Sequence, residues 1–324
     1  MSKLELKNLL TDIAGITVGN SHDVEVQTGV TLVLPDAPAL CAVDVRGGGP
    51  GTRETDALDA DGSVTHVHAI VLAGGSVYGL EAASSIANIL GARRIGYEVA
   101  PAPVPVSPIV PAAILFDNAN GGNKNWGEAP PFAGLGKQAF ANAAVDFKLG
   151  KVGAGYGATA GLYPGGLGSV SERVGDITVS ALIAANPVGS PYMPNTDCFW
   201  AWDCEIGDEY GGRKPPKDYA HTSARDTKLE FLRGVGASTV IGVIATDAKL
   251  SHAELRRLAV MAQDGIALAV RPSHTPMDGD TLFALSTETK DISKPRVVSL
   301  SELGAAAARC VARALAKGVY DASS

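Results

Sequence analysis

The chain has 324 residues, 46% of them hydrophobic but only 6% aromatic, and a formal net charge of −7. That is ample material for a core of Val, Ile, Leu and Ala, arranged as one large domain or two small ones. The acidic balance and the lack of a basic run argue against nucleic acid or an acidic membrane as partner, and no stretch approaches the roughly eighteen apolar residues of a spanning helix.

Residues 1–10 interleave charges with leucines, unlike the apolar core of a signal peptide. Residues 30–34 and 41–45 read as strands. Between Arg46 and Arg53 lies a Gly-rich loop with two guanidiniums, either a carboxylate clamp or subunit contact, or a tight turn. His66 and His68 alternate on a strand, where solvated or hydrogen-bonded rings are the plainer reading than metal ligands. A strand over 68–73 then meets Gly74-Gly75 and a helix over 77–90. The order resembles a dinucleotide fingerprint, but Gly-Gly-Ser-Val-Tyr-Gly is not G-x-G-x-x-G and no acidic residue follows at the expected place. The first turn of that helix would aim free N–H groups, and the phenol of Tyr78, at a site; core packing is the alternative for Tyr78.

Residues 101–108 are Pro-rich and read as an extended connector, 112–116 as a strand, 118–132 as a polar loop around Trp126, and 135–145 as helical. Seven glycines fall in residues 153–168, as a backbone wall against substrate or as tight sheet packing. Residues 177–184 form a continuous apolar strand that ends at Asn186-Pro187, where an Asn either aims its amide N–H at an oxyanion or simply makes a turn. Residues 192–231 turn charged and carry Trp200, Trp202, Tyr210 and Tyr219, the marks of a surface excursion or linker. Cys41, Cys198, Cys204 and Cys310 fit no disulfide or zinc spacing, and His221 adds none, so neither a metal nor a cofactor is expected and the thiols read as reduced in a cytoplasmic protein.

After a small, flexible lead-in from Gly234, a β-branched run over 240–246 reads as a buried strand. Ser251 and Glu254 have capping-box spacing, and Leu255, Leu258, Met261 and Ala262 give the following helix one apolar stripe, ending near Arg271-Pro272. A strand of about eight residues travels roughly 26 Å, and a helix of about eighteen returns about 27 Å. The chain therefore comes back level with Thr239 just before Asp278-Gly279-Asp280 and resumes as a strand over 282–286, parallel to the first. An Ala-rich helix over 303–316 follows, with Arg309, Arg313 and Lys317 on its polar side.

This juxtaposition suggests a chemistry. An internal hydroxyl is a weak nucleophile and needs a base. If the Ser238–Thr239 bond is cut, Thr239 gains an α-amine, which titrates near 7.7–8.0 and can take the proton of its own Oγ. Asp278 and Asp280 would orient that ammonium, and as anions would also raise its pKa. On pattern alone, a Thr opening a core strand and an Asp-Gly-Asp turn explain the same residues more plainly.

A resemblance changes the weighting. The segments are 10–19 (Leu-Thr-Asp-Ile-Ala-Gly-Ile-Thr-Val-Gly), 45–54 (Val-Arg-Gly-Gly-Gly-Pro-Gly-Thr-Arg-Glu) and 72–81 (Leu-Ala-Gly-Gly-Ser-Val-Tyr-Gly-Leu-Glu), then 185–189 (Ala-Asn-Pro-Val-Gly), 243–248 (Val-Ile-Ala-Thr-Asp-Ala) and 274–284 (His-Thr-Pro-Met-Asp-Gly-Asp-Thr-Leu-Phe-Ala). Together and in this order they resemble the P1 peptidase family, the DmpA-like aminopeptidases, which includes β-peptidyl aminopeptidases and endo-type 6-aminohexanoate (nylon-oligomer) hydrolases. The resemblance implies an αββα sandwich of two stacked sheets flanked by helices, one domain over 1–324 that cuts itself into 1–238 and 239–324, and assembly of the processed pairs into a homo-oligomer, with a tetramer suspected. It places the nucleophile at Thr239, the cleavage site at Ser238 and Thr239, the paired acids at Asp278 and Asp280, and an oxyanion donor at Asn186, with Tyr78 in a matching stretch. A Thr with an Asp pair is more similar to the nylon-oligomer branch than to the branch with Ser and a Ser/Glu pair. The lysine of that branch, however, falls on Leu162 here.

The implied activity is amide hydrolysis of short peptides or ω-amino-acid oligomers through an acyl-enzyme. Strict removal of N-terminal residues, D- or β-amino acids included, is the alternative within the class. An acetyl transferase of the ornithine type lacks its residue matches, and a non-cleaving small-molecule binder on the same scaffold is the alternative outside it.

Overall fold

The structure, a computed structural model, describes residues 5–59, 61–220, 223, 225–230 and 238–323. Two sheets are stacked face to face. The first runs β1-β2-β6-β7-β4 and holds β1 (Ile16–Asp23), β2 (Thr28–Pro35), β4 (Thr52–Arg53), β6 (Ile70–Ala73) and β7 (Ala112–Ile114). The second runs β10-β11-β12-β13-β3-β5 and holds β3 (Ala39–Val45), β5 (His66–Val67), β10 (Gly166–Val174), β11 (Ile177–Asn186), β12 (Thr239–Ala248) and β13 (Thr281–Lys290). A small hairpin of β8 (Thr159–Ala160) and β9 (Tyr163–Pro164) stands apart.

β11 and β12 are buried at every position, the pattern of strands covered on both faces. Val18, Val33 and Leu72 meet Leu182, Val243 and Phe283 in the layer between the sheets. The outer face of the first sheet packs Val30, Leu32 and Val71 against α1 (Glu81–Ala92) and α2 (Phe132–Ala141), through Ile86 and Leu135. The outer face of the second packs Val179 and Ile244 against α3 (His252–Ala262), α4 (Asp264–Ala269) and α5 (Arg296–Ser323), through Leu255, Ile266 and Val311. This is the expected αββα sandwich.

The return geometry read from the sequence holds. β12 and β13 are parallel, with Ile241 beside Thr281, and α3 starts on the capping box: Ser251 Oγ accepts from Glu254 N and Glu254 Oε2 accepts from Ser251 N. Antiparallel pairing with β11 sets Asn186 opposite Thr239. The end of β11, the start of β12 and the turn before β13 thus converge at one rim of the second sheet.

Four expectations are revised. The helix over 77–90 opens as a 3-10 turn (Ser76–Leu80), because Gly75 and Ser76 both have positive φ and enter it through a tight bend. The helix after β12 is split at Gln263, where the backbone tightens to a three-residue bond from Ile266 N to Gln263 O; the Gln263 side chain donates to Asp44 O. The last helix runs from Arg296, well ahead of residue 303; its first turns leave Val297 and Val298 exposed, and its buried face begins only at Leu303. Residues 101–108 are folded back rather than extended, closed by paired Tyr97 and Ser107 backbone hydrogen bonds. The glycines of residues 153–168 prove to be packing at the β10 end: a Cβ on Gly168 would stand 1.8 Å from Ala314 O, so α5 lies this close only over glycine.

All four cysteines are free. Among the described residues no helix is long and apolar enough to cross a membrane, and no three acidic, His or Cys groups gather as metal ligands. His221 and the lead-in over 234–237 lie outside the described residues.

Candidate active site

Thr239 opens β12 with 3% of its surface exposed, and Ser238 before it is fully buried. Ser238 bridges to the loop ahead of β13: its N–H donates to Met277 O at 2.9 Å, and Gly279 N donates to its carbonyl oxygen at 2.8 Å. The Thr239 hydroxyl folds back onto the same carbonyl, 2.5 Å from the oxygen, and Gly279 N is 3.2 Å from that hydroxyl. A hydroxyl, the carbonyl of the bond before it and one backbone donor therefore meet at a single point.

The loop that brings Gly279 here is held from behind. Arg46 N and Gly47 N donate to Asp280 O, Gly48 N to Thr275 O, and Gly49 N to Asp278 O. A side chain at Gly47 would fall 2.2 Å from Asp278 O, so the close approach needs glycine. The Gly-rich loop is thus a cradle for the Asp-Gly-Asp turn. Its guanidiniums turn to carboxylates of the chain itself: Arg46 pairs with Asp44 at 2.6 Å, and Arg53 with Glu54, donating also to Ser84.

Asp278 and Asp280 are each 1% exposed. Asp278 Oδ1 accepts from Val188 N, and its Oδ2 from Thr275 N and Oγ1. Asp280 Oδ1 accepts from Val240 N at 2.8 Å, while Oδ2 accepts from His274 N and lies 2.7 Å from His274 Nδ1. Burial, then the neighbouring Asp280 charge, pushes the Asp278 carboxyl above the usual range, against the pull of its three donors. Both carboxylates grip the backbone around Thr239, at Val188 and Val240, rather than its hydroxyl.

Asn186 Oδ1 accepts from Thr159 N and from Lys228 Nζ, and two donors on one atom fix the orientation of the amide. Its Nδ2 donates to Phe116 O at 3.0 Å, so one of its two N–H bonds is spent on positioning. Tyr78 is 48% exposed, next in the chain to Val77 of the cavity that opens onto Thr239, and packs edge-on against Trp126, which packs in turn on Phe132. The structure thus brings Ser238, Thr239, Asn186, Asp278 and Asp280 together, and sets Tyr78 in an aromatic cluster beside the cavity wall. Leu162 is exposed and supplies no cation.

A cavity of about 410 Å³ opens onto Thr239, walled by Gly49, Pro50, Ser76, Val77, Ile114 and Phe116. A larger hollow of about 740 Å³, between Tyr163, Tyr192 and Tyr210, reaches none of the site residues. Behind the smaller cavity, buried Asp117 accepts from Gly75 N and from Thr28 Oγ1 and so fixes the bend that delivers Ser76; burial pushes its carboxyl up.

Sequence reasoning missed Gly279 N, His274, Asp117 and Lys228. The first is a backbone group and leaves no residue signature. His274 stood inside a matching segment, two residues from Pro276, and was the one signal available.

The chain matches the model of peptidase family S58 over residues 8–324. It is 40% identical to a protein of Mycobacterium tuberculosis described as an uncharacterised aminopeptidase, over 97% of this chain and 94% of that one. It is 31% identical to the 6-aminohexanoate-oligomer endohydrolase of an Agromyces species, over 87% and 75%. The solved L-aminopeptidase D-Ala-esterase/amidase of Ochrobactrum anthropi, described as a variant of the Ntn hydrolase fold, superposes with a TM-score of 0.68 at 20% identity, over 96% of this chain and 85% of that one. With this match over nearly its whole length, the chain belongs to peptidase family S58 and is a hydrolase of peptide or amide bonds.

Proposed function

We propose that the protein cuts its own chain between Ser238 and Thr239, and that the freed Thr239 then hydrolyses short peptides or ω-amino-acid oligomers through an acyl-enzyme. The observation that carries this reading is the Thr239 hydroxyl 2.5 Å from the Ser238 carbonyl oxygen, with Gly279 N on both.

In the self-cleavage, Thr239 Oγ adds to the Ser238 carbonyl carbon, its proton passing over the step to the departing amide nitrogen, while the developing oxyanion accepts a hydrogen bond from Gly279 N. The C–N bond breaks, the nitrogen is protonated to the Thr239 α-amine, and the acyl group moves to Oγ as an ester. Water hydrolyses that ester, giving a Ser238 carboxylate and a free Thr239 hydroxyl. In turnover the α-amine takes the Oγ proton as Oγ attacks a substrate amide, and passes it to the departing amine. Water then releases the acyl group. Asp280 anchors Val240 N, which fixes the Thr239 backbone that carries both groups.

The cavity favours an acyl group without a charge: among the described residues, none of the side chains lining it is a carboxylate or a cation. A strict aminopeptidase must seat an ammonium beside the scissile carbonyl, and this wall offers no counter-charge. Interior amides of 6-aminohexanoate oligomers are therefore the favoured substrates. Product analysis on linear and cyclic 6-aminohexanoate oligomers and on N-acetylated peptides tests this. Cleavage of the cyclic or N-blocked forms fits the reading, whereas release of single residues from free N-termini only would replace it with the aminopeptidase.

A further inference from the structure

Every polar group of Ser238 is held. Its N–H goes to Met277 O and its carbonyl receives Gly279 N, while its Oγ lies 3.1 Å from Lys228 Nζ. Lys228 also donates to Asn186 O and Asn186 Oδ1, both at 3.1 Å. An ammonium has three N–H bonds, and here each has one acceptor. The segment around Lys228 is pinned by its backbone: Lys228 N donates to Val188 O, Leu162 N donates to Asp226 O, and Tyr163 Oη donates to Asp226 Oδ2. The lysine that the nylon-oligomer resemblance would put at residue 162 is absent from that position, and a cation reaches the same neighbourhood from a different part of the chain.

Building on the self-cleavage proposed above, we propose that Lys228 is the positioning residue of that step, tying the Ser238 side chain to Asn186 and so holding the Ser238 carbonyl over the Thr239 hydroxyl. The bond to be broken joins a residue with three fixed polar groups to a strand fixed by Asp280, and a reaction between groups held in contact avoids most of the entropy of bringing them together. Lys228 lies on the Ser238 side of the bond, ten residues upstream. Its tie to Ser238 therefore ends if that tail withdraws after the cut, while its bonds to Asn186 need not.

The test follows the conversion of the full chain to its two fragments by denaturing mass spectrometry, in Lys228→Met, Lys228→Arg, Ser238→Ala and the Lys228→Met/Ser238→Ala double variant. Losing the Lys228–Ser238 hydrogen bond should slow conversion about tenfold in Ser238→Ala, and at least as much in Lys228→Met, which also loses both bonds to Asn186. The double variant should be no slower than Lys228→Met, since both remove the same tie, and Lys228→Arg should recover part of the rate. Circular dichroism checks folding; if Lys228→Met does not fold, Ser238→Ala and Lys228→Arg decide the matter. Conversion of Lys228→Met at the wild-type rate, or an additive double variant, overturns the role of Lys228 alone. A wild-type chain that never splits overturns the self-cleavage as well.

Discussion

The Gly279 N–H points at the Ser238 carbonyl oxygen from 2.8 Å, and its residue has no room for a side chain: a Cβ there would stand 2.9 Å from Thr239 Oγ1 and 2.8 Å from Gly49 O. One glycine thus supplies the donor and makes the space in which the nucleophile turns. Gly279→Ala must displace either the hydroxyl or the cradle. Removing one oxyanion donor commonly lowers rates by about 10²- to 10³-fold, and self-cleavage of this variant, followed on gels, should fall in that range while the fold persists.

Asp280 offers two acceptors, one to Val240 N and one to His274. Asn at this position keeps the shape but must turn an N–H toward one of those donors. Asp280→Asn should therefore mature slowly, and any processed enzyme should lose at least about 10²-fold in turnover, the scale of a misdirected proton-transfer site. Steady-state rates on processed material, with the processed fraction measured separately, distinguish the two effects.

Maturation should depend on pH through Lys228. Burial, partly offset by the Asp278 carboxylate, pushes its ammonium down to about 7. Below that value the group is charged and supplies all three N–H bonds; above it one is gone. The maturation rate should therefore decline as pH rises through about 7, and Lys228→Arg, which stays charged, should lack that decline. The carboxyl of Asp278, raised by burial and by the Asp280 charge, predicts a separate fall as pH drops through its titration. Initial rates across a pH series in both chains check this.

Glu254 gives a stability prediction away from the site. Arg296 above all, with the Ser251 backbone, pulls its carboxyl down to about 2. A depressed carboxyl stabilises the fold fully above its unfolded value near 4.3 and loses that contribution as pH falls toward about 2. The pair is partly exposed, so Glu254→Gln should cost under about 1 kcal/mol at neutral pH, and the difference in melting temperature should close in acid. Thermal melts in an uncut Thr239→Ala background measure it.

How much of this was legible beforehand depended on what kind of group carried each feature. The two strands and the capped helix between them announce themselves by β-branched runs and by Ser251 and Glu254, because local periodicity determines them. Their lengths then force Thr239 and Asp278 to the same rim. The Gly-rich loop after β3 was visible but ambiguous, since its partner, the backbone of residues 275–280, is distant in sequence. The turn that carries Tyr78 was legible as a helix start, but not the bend at Gly75 and Ser76 that sets Ser76 and Val77 in the cavity wall. Lys228 was illegible: it sits in a charged stretch with no period, and only the packing of that stretch on Val188 and Leu162 aims it inward.

The most direct test is the intact mass of the purified protein under denaturing conditions, beside Thr239→Ala. The account predicts two fragments for the wild type, ending at Ser238 and beginning at Thr239, and one uncut, inactive chain for the variant. A wild-type chain that stays whole on long incubation yet hydrolyses amides, or a Thr239→Ala chain that still turns over substrate, would contradict it.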